Sequence, residues 1–522
     1  MDKTIWEVLS GKYNKIEKRY RVCFFVAIIC GLMAHIYALT NHLDNYDELW
    51  HTPTGFGTGT EVGRWALSIT VWIQKVLFYD VFTIPVINGL VTILLYAISA
   101  CVVVAIFDIK DEYYAGLTGA LMLTFPALVC RMFYMFTTHY YAIGICMVSV
   151  GVWLFVKCKR NVFKILLSLA LVIYGMAIYQ ANFVTAVCLM IGFLMIRCIR
   201  EDDDWKGLLT HCITCVAFLG VSMALYLVGS KFALAVTGKQ MQTYENLDTM
   251  GQLSISQLLG GILKCYKTFF KIPIKDVYAM NPNAIVKITF LLGLLVLAYS
   301  TIRMLISKKQ IYIKVLFALM MMVLPIAVNL IAIMAFASGT MYSIMVYEIV
   351  YMFIIPIGLL EAMRGDLTTN LRGIINAIFA VALTATVVTY IWFANGNYLA
   401  MEYTNNHDVA YYTVLMTQIK SVDGYNDEMP VALIGKPGLD KTNTRRSMIG
   451  NVFDIGGKTS TNLNQYSSWN IMTRVIGFDP ILRDSDEDEE YFLNLDEVKA
   501  MPIYPDAGAI KVIDGTIVIK FE

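Results

Sequence analysis

Charge is what this chain has least of. Only 16% of its 522 residues are Asp, Glu, Lys or Arg, whereas 57% are hydrophobic. A water-soluble fold cannot cover that much apolar surface, so the bilayer must serve as part of the solvent. Cysteine is missing beyond Cys265, so the C-terminal part has no disulfide framework. The pair Cys212 and Cys215 beside His211 has a metal-like spacing but no second ligand pair, and reads as packed thiols. There is no phosphate-binding G-x-x-x-x-G-K-[ST], no G-x-S-x-G elbow and no His-Glu-x-x-His, which removes most support for a nucleotide-driven pump or a hydrolase. The net charge of +1 offers no footing for a nucleic-acid partner.

What is present is a series of long apolar runs. They recur at 22–40, 83–107, 113–131, 135–156, 163–180, 182–199, 209–229, 285–306, 315–336, 344–361 and 374–394. Each is long enough for a helix to cross a hydrocarbon core of ~30 Å, which predicts an all-α polytopic membrane protein of about eleven spans. The first run follows Lys12, Lys15, Lys18, Arg19 and Arg21, and reads as an uncleaved span, not a signal peptide. Alternate connections all carry Lys or Arg, which predicts a cytoplasmic N-terminus. The segment 66–78 is short, carries Lys75 and reads as interfacial or re-entrant.

That orientation puts the connection 41–65, the connection 230–284 and everything after 394 outside the cell. In 251–273, apolar Ile255, Leu258, Leu259, Ile262, Leu263, Tyr266 and Phe270 recur at helical spacing, with Lys264, Lys267 and Lys271 on another face. This is the pattern of a helix lying in the interface, either as a strut or as a lysine row that also meets a lipid phosphate. From 395 to 522 the chain turns polar, with 19 acidic and 11 basic residues. Residues 429–435 read as a buried strand, and 509–521 as a hairpin turning at Asp514-Gly515. A small extracytoplasmic α/β domain is therefore expected after a transmembrane domain of residues 1–394. The acidic run from Asp484 to Glu490 lacks the glycine and closing glutamate of a calcium loop and reads as a solvated loop.

Three outer features carry candidate chemistry. The connection 41–65 gathers Asp44, Asp47, Glu48, Glu61 and Arg64 among Gly55, Gly57, Gly59 and Gly63. A partly desolvated carboxylate there can act as a general base, or simply face water. Arg64 and Arg131 suit an anion such as phosphate if they face inward, and anchoring if they snorkel. His139 sits among Tyr134, Tyr140 and Tyr141, as a packed residue or a substrate contact.

"DNYDEL" followed by "GFGTGTEVGRW", then "FPALVCRMFYMFTTHYYAIGI", "YGMAIYQANF" and the ending "MPIYPDAGAIKVIDGTIVIKF" resemble the Gtr-type (type II) bacterial glucosyl transferase family. The resemblance implies a membrane glycosyltransferase of GT-C-like architecture. It would move a sugar, glucose by family, from a polyprenyl-phosphate carrier to a surface polysaccharide such as an O-antigen. Asp47 would be the first choice of base, then Glu48, then Asp44, and Gln180 of the Tyr-Gln-Ala element joins the substrate-binding candidates. No cofactor follows from the residues, and a divalent cation is left open. His139 stands where some members would carry an acid, so a metal-ligating role there is not supported. A rival reading is a flippase for lipid-linked sugars, but such proteins place ionisable groups mid-membrane and show internal repeats. Here Glu348 is the one evident mid-span acid, and no repeat is evident. A sensor lacks a cytoplasmic output domain.

Overall fold

The structure is a computed structural model that describes residues 14–158, 161–200, 205–242, 254–307, 309–335, 341–363, 369–435 and 469–521, of which 369–372 by backbone alone. The chain divides into two compact units, residues 1–40 with 56–395 and residues 41–55 with 396–522. Its first helices are α1 (Lys18–Thr40), α2 (Tyr46–His51), α3 (Trp65–Leu77), α4 (Pro85–Phe107), α5 (Glu112–Thr124), α6 (Pro126–Met132) and α7 (Thr138–Lys157). There follow α8 (Val162–Ile178), α9 (Asn182–Arg200), α10 (Trp205–Thr237), α11 (Ile255–Lys271), α12 (Ala284–Ile306), α13 (Ile311–Val328), α14 (Tyr351–Ala362), α15 (Thr369–Lys420) and α16 (Asp486–Asn494).

Among the described residues, eight helices are long and apolar enough to cross a membrane: α1, α4, α7, α9, α10, α12, α13 and α15. A ninth span exists if α5 and α6 count as one, bent by 44°. The bend has a cause in the sequence, because Pro126 has no amide proton to continue the α5 ladder. The remaining two of the eleven expected spans are shorter. The run 163–180 is the 17-residue α8, and 344–361 is the 12-residue α14 preceded by two 3-10 turns, Ser343–Met345 and Tyr347–Val350. All eleven runs are helical, but α14 is apolar on every side because protein surrounds it: its residues from Tyr351 to Glu361 are all buried.

Close approach organises the first unit. The crossing of α7 and α8 runs through Gly144 and Gly175, where an added Cβ on Gly175 would stand 2.6 Å from the Gly144 carbonyl oxygen. At one end of the unit Asp108, in a left-handed conformation (φ 50°), closes α4. Its carboxylate accepts from Arg19 Nη1 at 2.8 Å and Arg200 Nη1 at 2.6 Å. This fastens α1, α4 and α9 together through one carboxylate shared by two guanidiniums.

The second unit holds a four-stranded sheet of order β2-β1-β4-β3: β1 (Val431–Ile434), β2 (Leu482–Arg483), β3 (Ile510–Ile513) and β4 (Thr516–Lys520). β1 is parallel to β2 and β4, while β3 and β4 form the antiparallel hairpin. Asp514 and Gly515 turn it with φ of 47° and 69°, the left-handed pair a two-residue turn requires. The acidic run is the first turn of α16, not a loop. Ser485 caps it by accepting from Asp488 N, and four acids there meet the positive end of the helix.

Candidate active site

In the second unit, the acids of 41–55 sit on and beside α2. Asn45 caps this short helix, its side-chain oxygen accepting from the amides of Asp47 and Glu48, both at 2.8 Å. Glu48 is buried and Asp47 and Asp44 are half-buried. Asp44 accepts from His42 Nδ1 at 3.1 Å, and this bond raises the His42 pKa above its usual value, against partial burial that lowers it. Leu49 belongs to the same apolar core as Tyr412, Leu415, Val431, Ile471 and Ile517. Arg474 donates from Nη1 to the carbonyls of Leu49, at 2.7 Å, and Trp50, and its guanidinium lies over the Trp50 ring. A cation at the last carbonyls of a helix is well placed for its dipole. The acid-bearing helix is thus built into the core of the second unit, tied by a residue that sequence reasoning did not single out.

In the first unit, the structure brings Arg64, Arg131 and Gln180 together around tyrosines. Tyr179, in the three-residue break between α8 and α9, lies against both guanidiniums, 5.0 Å from Arg64 and 5.6 Å from Arg131. Its other neighbour is the ring of Tyr141, 4.6 Å away, whose hydroxyl accepts from Arg64 Nη1 at 3.4 Å. Arg131 does not snorkel: it is fully enclosed. It donates to Tyr96 Oη at 2.6 Å and to the Ile344 carbonyl at 3.3 Å, and stacks on Tyr347 at 4.9 Å. No carboxylate lies within ion-pair distance of Arg131 among the described residues; tyrosine faces, each contributing about 0.5–2 kcal/mol, and the more distant buried Glu348 together act on its charge. Glu348, next to Tyr347, is buried with Oε1 accepting from Thr185 at 2.6 Å.

Gln180 holds the glycine segment. Its amide donates to the Val62 carbonyl at 2.6 Å, and Tyr226 Oη donates to the Gly63 carbonyl at 3.2 Å. Gly63 has φ 78°, and a Cβ there would stand 2.7 Å from Tyr226 Oη and 2.9 Å from Gln180 Nε2. Only glycine meets both demands. Glu61 pairs with Lys239 at 2.9 Å. His139 is buried in the first turn of α7, its ring 3.9 Å from that of Tyr140.

Lys264, Lys267 and Lys271 lie elsewhere, on α11. This helix has three faces. Gly261, Cys265, Thr268 and Phe269 are buried; Ile255, Leu259, Leu263 and Phe270 are exposed; Lys267 and Lys271 are exposed on a third strip with half-buried Lys264. Cys265 Sγ donates to the Asn329 carbonyl at 3.1 Å, seating the buried face beside α13. Among the described residues no group of three or more His, Cys, Asp or Glu side chains could hold a metal ion.

The sequence profile of the family described as Glucosyl transferase GtrII matches residues 36–354, more than half of the chain. The chain belongs to the GtrII glucosyl transferase family. The matched stretch includes every residue singled out above from Asp44 to Glu348, while Arg474 and the sheet of the second unit lie beyond it. No curated protein and no solved structure matches the glucosyl transferase. Eight apolar helices and the family together make it a membrane glucosyltransferase. Tyr96, Tyr141, Tyr179 and Tyr347 had no spacing to mark them, since 31 tyrosines are spread through the chain.

Proposed function

We propose that this membrane glucosyltransferase takes its sugar from a polyprenyl-phosphate carrier and adds it to a surface polysaccharide on the outer face of the membrane, using a GT-C-like transmembrane domain. The observation that carries the reading is the family match over 36–354, within which an acid-bearing segment and a two-arginine stack each have a defined local structure. Nucleotide sugars are cytosolic, and a transferase working outside needs a donor that crosses the bilayer. In the proposed step Asp47 removes a proton from an acceptor hydroxyl, the oxygen attacks the anomeric carbon, and the lipid phosphate leaves with the bonding electrons. Glu48 and Asp44 are the alternative bases.

Negative charge grows on the departing phosphate, and Arg64 is the candidate to meet it, because its guanidinium is only half-buried. Enclosed Arg131 holds Tyr179 and Tyr347 in place. Gln180 fixes the backbone beside Arg64, and His139 packs within the same unit. Lys264, Lys267 and Lys271 attract the carrier's phosphate to the membrane surface. The test is transfer by the purified protein from polyprenyl-phosphate glucose, compared with nucleotide-linked glucose, to a surface-glycan acceptor. Transfer from the nucleotide sugar alone refutes the donor assignment. Sidedness is tested by cysteine labelling in intact cells, with Thr58→Cys and Asn470→Cys expected to react and Lys309→Cys to be protected.

A further inference from the structure

The one evident mid-span acid, Glu348, has no part in the transfer step above. It sits in the 3-10 turn Tyr347–Val350 that leads into α14 and is 1% exposed, so an acceptor hydroxyl cannot reach it. Thr185 of α9 donates to its Oε1 at 2.6 Å, while Oε2 is buried without a hydrogen-bond partner among the described residues. Arg131 is incomplete in the complementary sense. Its Nη1 and Nε both donate, but Nη2 is buried and unpartnered. One buried group thus lacks a donor and the other an acceptor.

The two belong to one neighbourhood. The Arg131 guanidinium lies 4.9 Å from the Tyr347 ring, and Glu348 is the next residue in the chain. Tyr96 accepts from Arg131 and packs its ring 5.2 Å from that of Tyr347. Among the described residues Glu348 is the carboxylate that acts on the Arg131 charge, and Arg131 acts on Glu348 in return. Beyond direct contact such an attraction still counts, because water screens neither group. A neutral Glu348 would leave Arg131 a lone sealed cation, which is the costlier arrangement.

Arg64 and Arg131 lie against the same Tyr179 ring, 5.0 Å and 5.6 Å away, so an ionised Glu348 brings the three groups to a net single positive charge. Arg131 is enclosed and Arg64 is half-buried, so Arg64 presents that charge. We propose that Glu348 is the counter-charge of Arg131, a positioning residue that leaves Arg64 the single uncompensated cation of the stack. This role rests on the reading that Arg64 meets the departing lipid phosphate. A second uncompensated cation would bind that product more tightly and slow its release.

Two measurements on the full-length protein test it. In melting, Glu348→Gln and Arg131→Met should each lower the midpoint by about 5 °C, whereas adding Glu348→Gln to Arg131→Met should cost little or restore stability. An equal loss in both backgrounds, or no loss in the wild type, overturns the proposal. Where a single variant does not fold, the yield of folded protein is compared instead: recovery in the double variant supports the pairing, and its failure overturns it. In binding, the probe is polyprenyl phosphate. Glu348→Gln should hold it roughly three- to ten-fold more tightly than the wild type, a gain that a packing defect does not produce. Unchanged or weaker binding by Glu348→Gln, alongside weakened binding by Arg64→Gln, overturns the proposal and leaves the role of Arg64 standing. Unchanged binding by Arg64→Gln refutes that role instead, and the melting comparison still decides whether Glu348 balances Arg131.

Discussion

In the first unit two guanidiniums lie against tyrosine faces and one of them, Arg131, is sealed from solvent. In the second, Asp44 and Asp47 stay half-exposed, and the backbone that carries them is fixed by Asn45 and Arg474. The contrast follows from desolvation. A delocalised guanidinium sheds water at less cost than a carboxylate and finds partial compensation in aromatic rings, whereas a carboxylate meets no such attraction from a ring face. A cation can therefore be stored in an aromatic interior, where the buried Glu348 also lies, while Asp44 and Asp47 keep partial contact with water on an anchored backbone from which Glu48 points inward.

The sharpest way to break this comparison is Asp47→Asn. It keeps the shape of the side chain but cannot accept a proton, and turnover should fall by about 10²- to 10⁴-fold with little change in melting temperature. Wild-type turnover in Asp47→Asn with a dead Glu48→Gln would transfer the role to Glu48. Dispensability of all three acids would leave the segment a connector. Arg64→Gln comes next, with an expected loss in kcat of roughly 10²-fold, the scale of one removed charge stabiliser. A rise in KM at constant kcat would make Arg64 a ground-state contact instead.

A third substitution probes the anchoring. Arg474→Ala removes two bonds to the last carbonyls of α2, and should lower stability by roughly 1–2 kcal/mol, read as a lower melting temperature or faster proteolysis of the second unit. Smaller in effect on turnover is the triple change of Lys264, Lys267 and Lys271 to Gln. Donor KM should rise while kcat stays within a few-fold, because each interfacial lysine contributes about 1 kcal/mol of attraction to anionic headgroups. A collapse of kcat at unchanged KM would refute that role. The smallest effect concerns His42. Its pKa is raised by the bond to Asp44, so that bond contributes fully below the ordinary value of about 6.5 and is lost as pH rises through the raised one. Asp44→Asn should lower the His42 pKa in a proton NMR titration, and its stability deficit should shrink towards alkaline pH.

Much of the fold was legible because its signals are local. The apolar runs, the Asp514-Gly515 turn and the three-sided α11 each depend on residues a few positions apart. The number of spans was less legible, since hydropathy reports how apolar a run is and not what surrounds it. The run 344–361 is apolar because α14 is wrapped by protein, and its first turns are 3-10 around Tyr347 and Glu348. Arg131 could be singled out as a charge in an apolar run, but its partners Tyr96, Tyr179 and Tyr347 come from distant segments with nothing in their spacing to connect them. The same holds for the acidic segment. Its grouping with residues 396–522 rests on Leu49 sharing one apolar core with Val431 and Ile517, for which no short-range pattern exists.

The union of residues 41–55 with the C-terminal part also sets a timetable. Arg474 and the Leu49 carbonyl it binds are 425 positions apart. At synthesis rates of about 5–20 residues per second, the acidic helix waits roughly 20–85 s after emerging before its partner exists. Throughout that interval a six-residue helix, far too short to persist alone, has no core to hold it. The ordered acids are therefore among the last parts of the protein to form, so a chain cut short before Arg474 would carry every residue of the arginine–tyrosine stack and lack the side chain that ties the acidic helix.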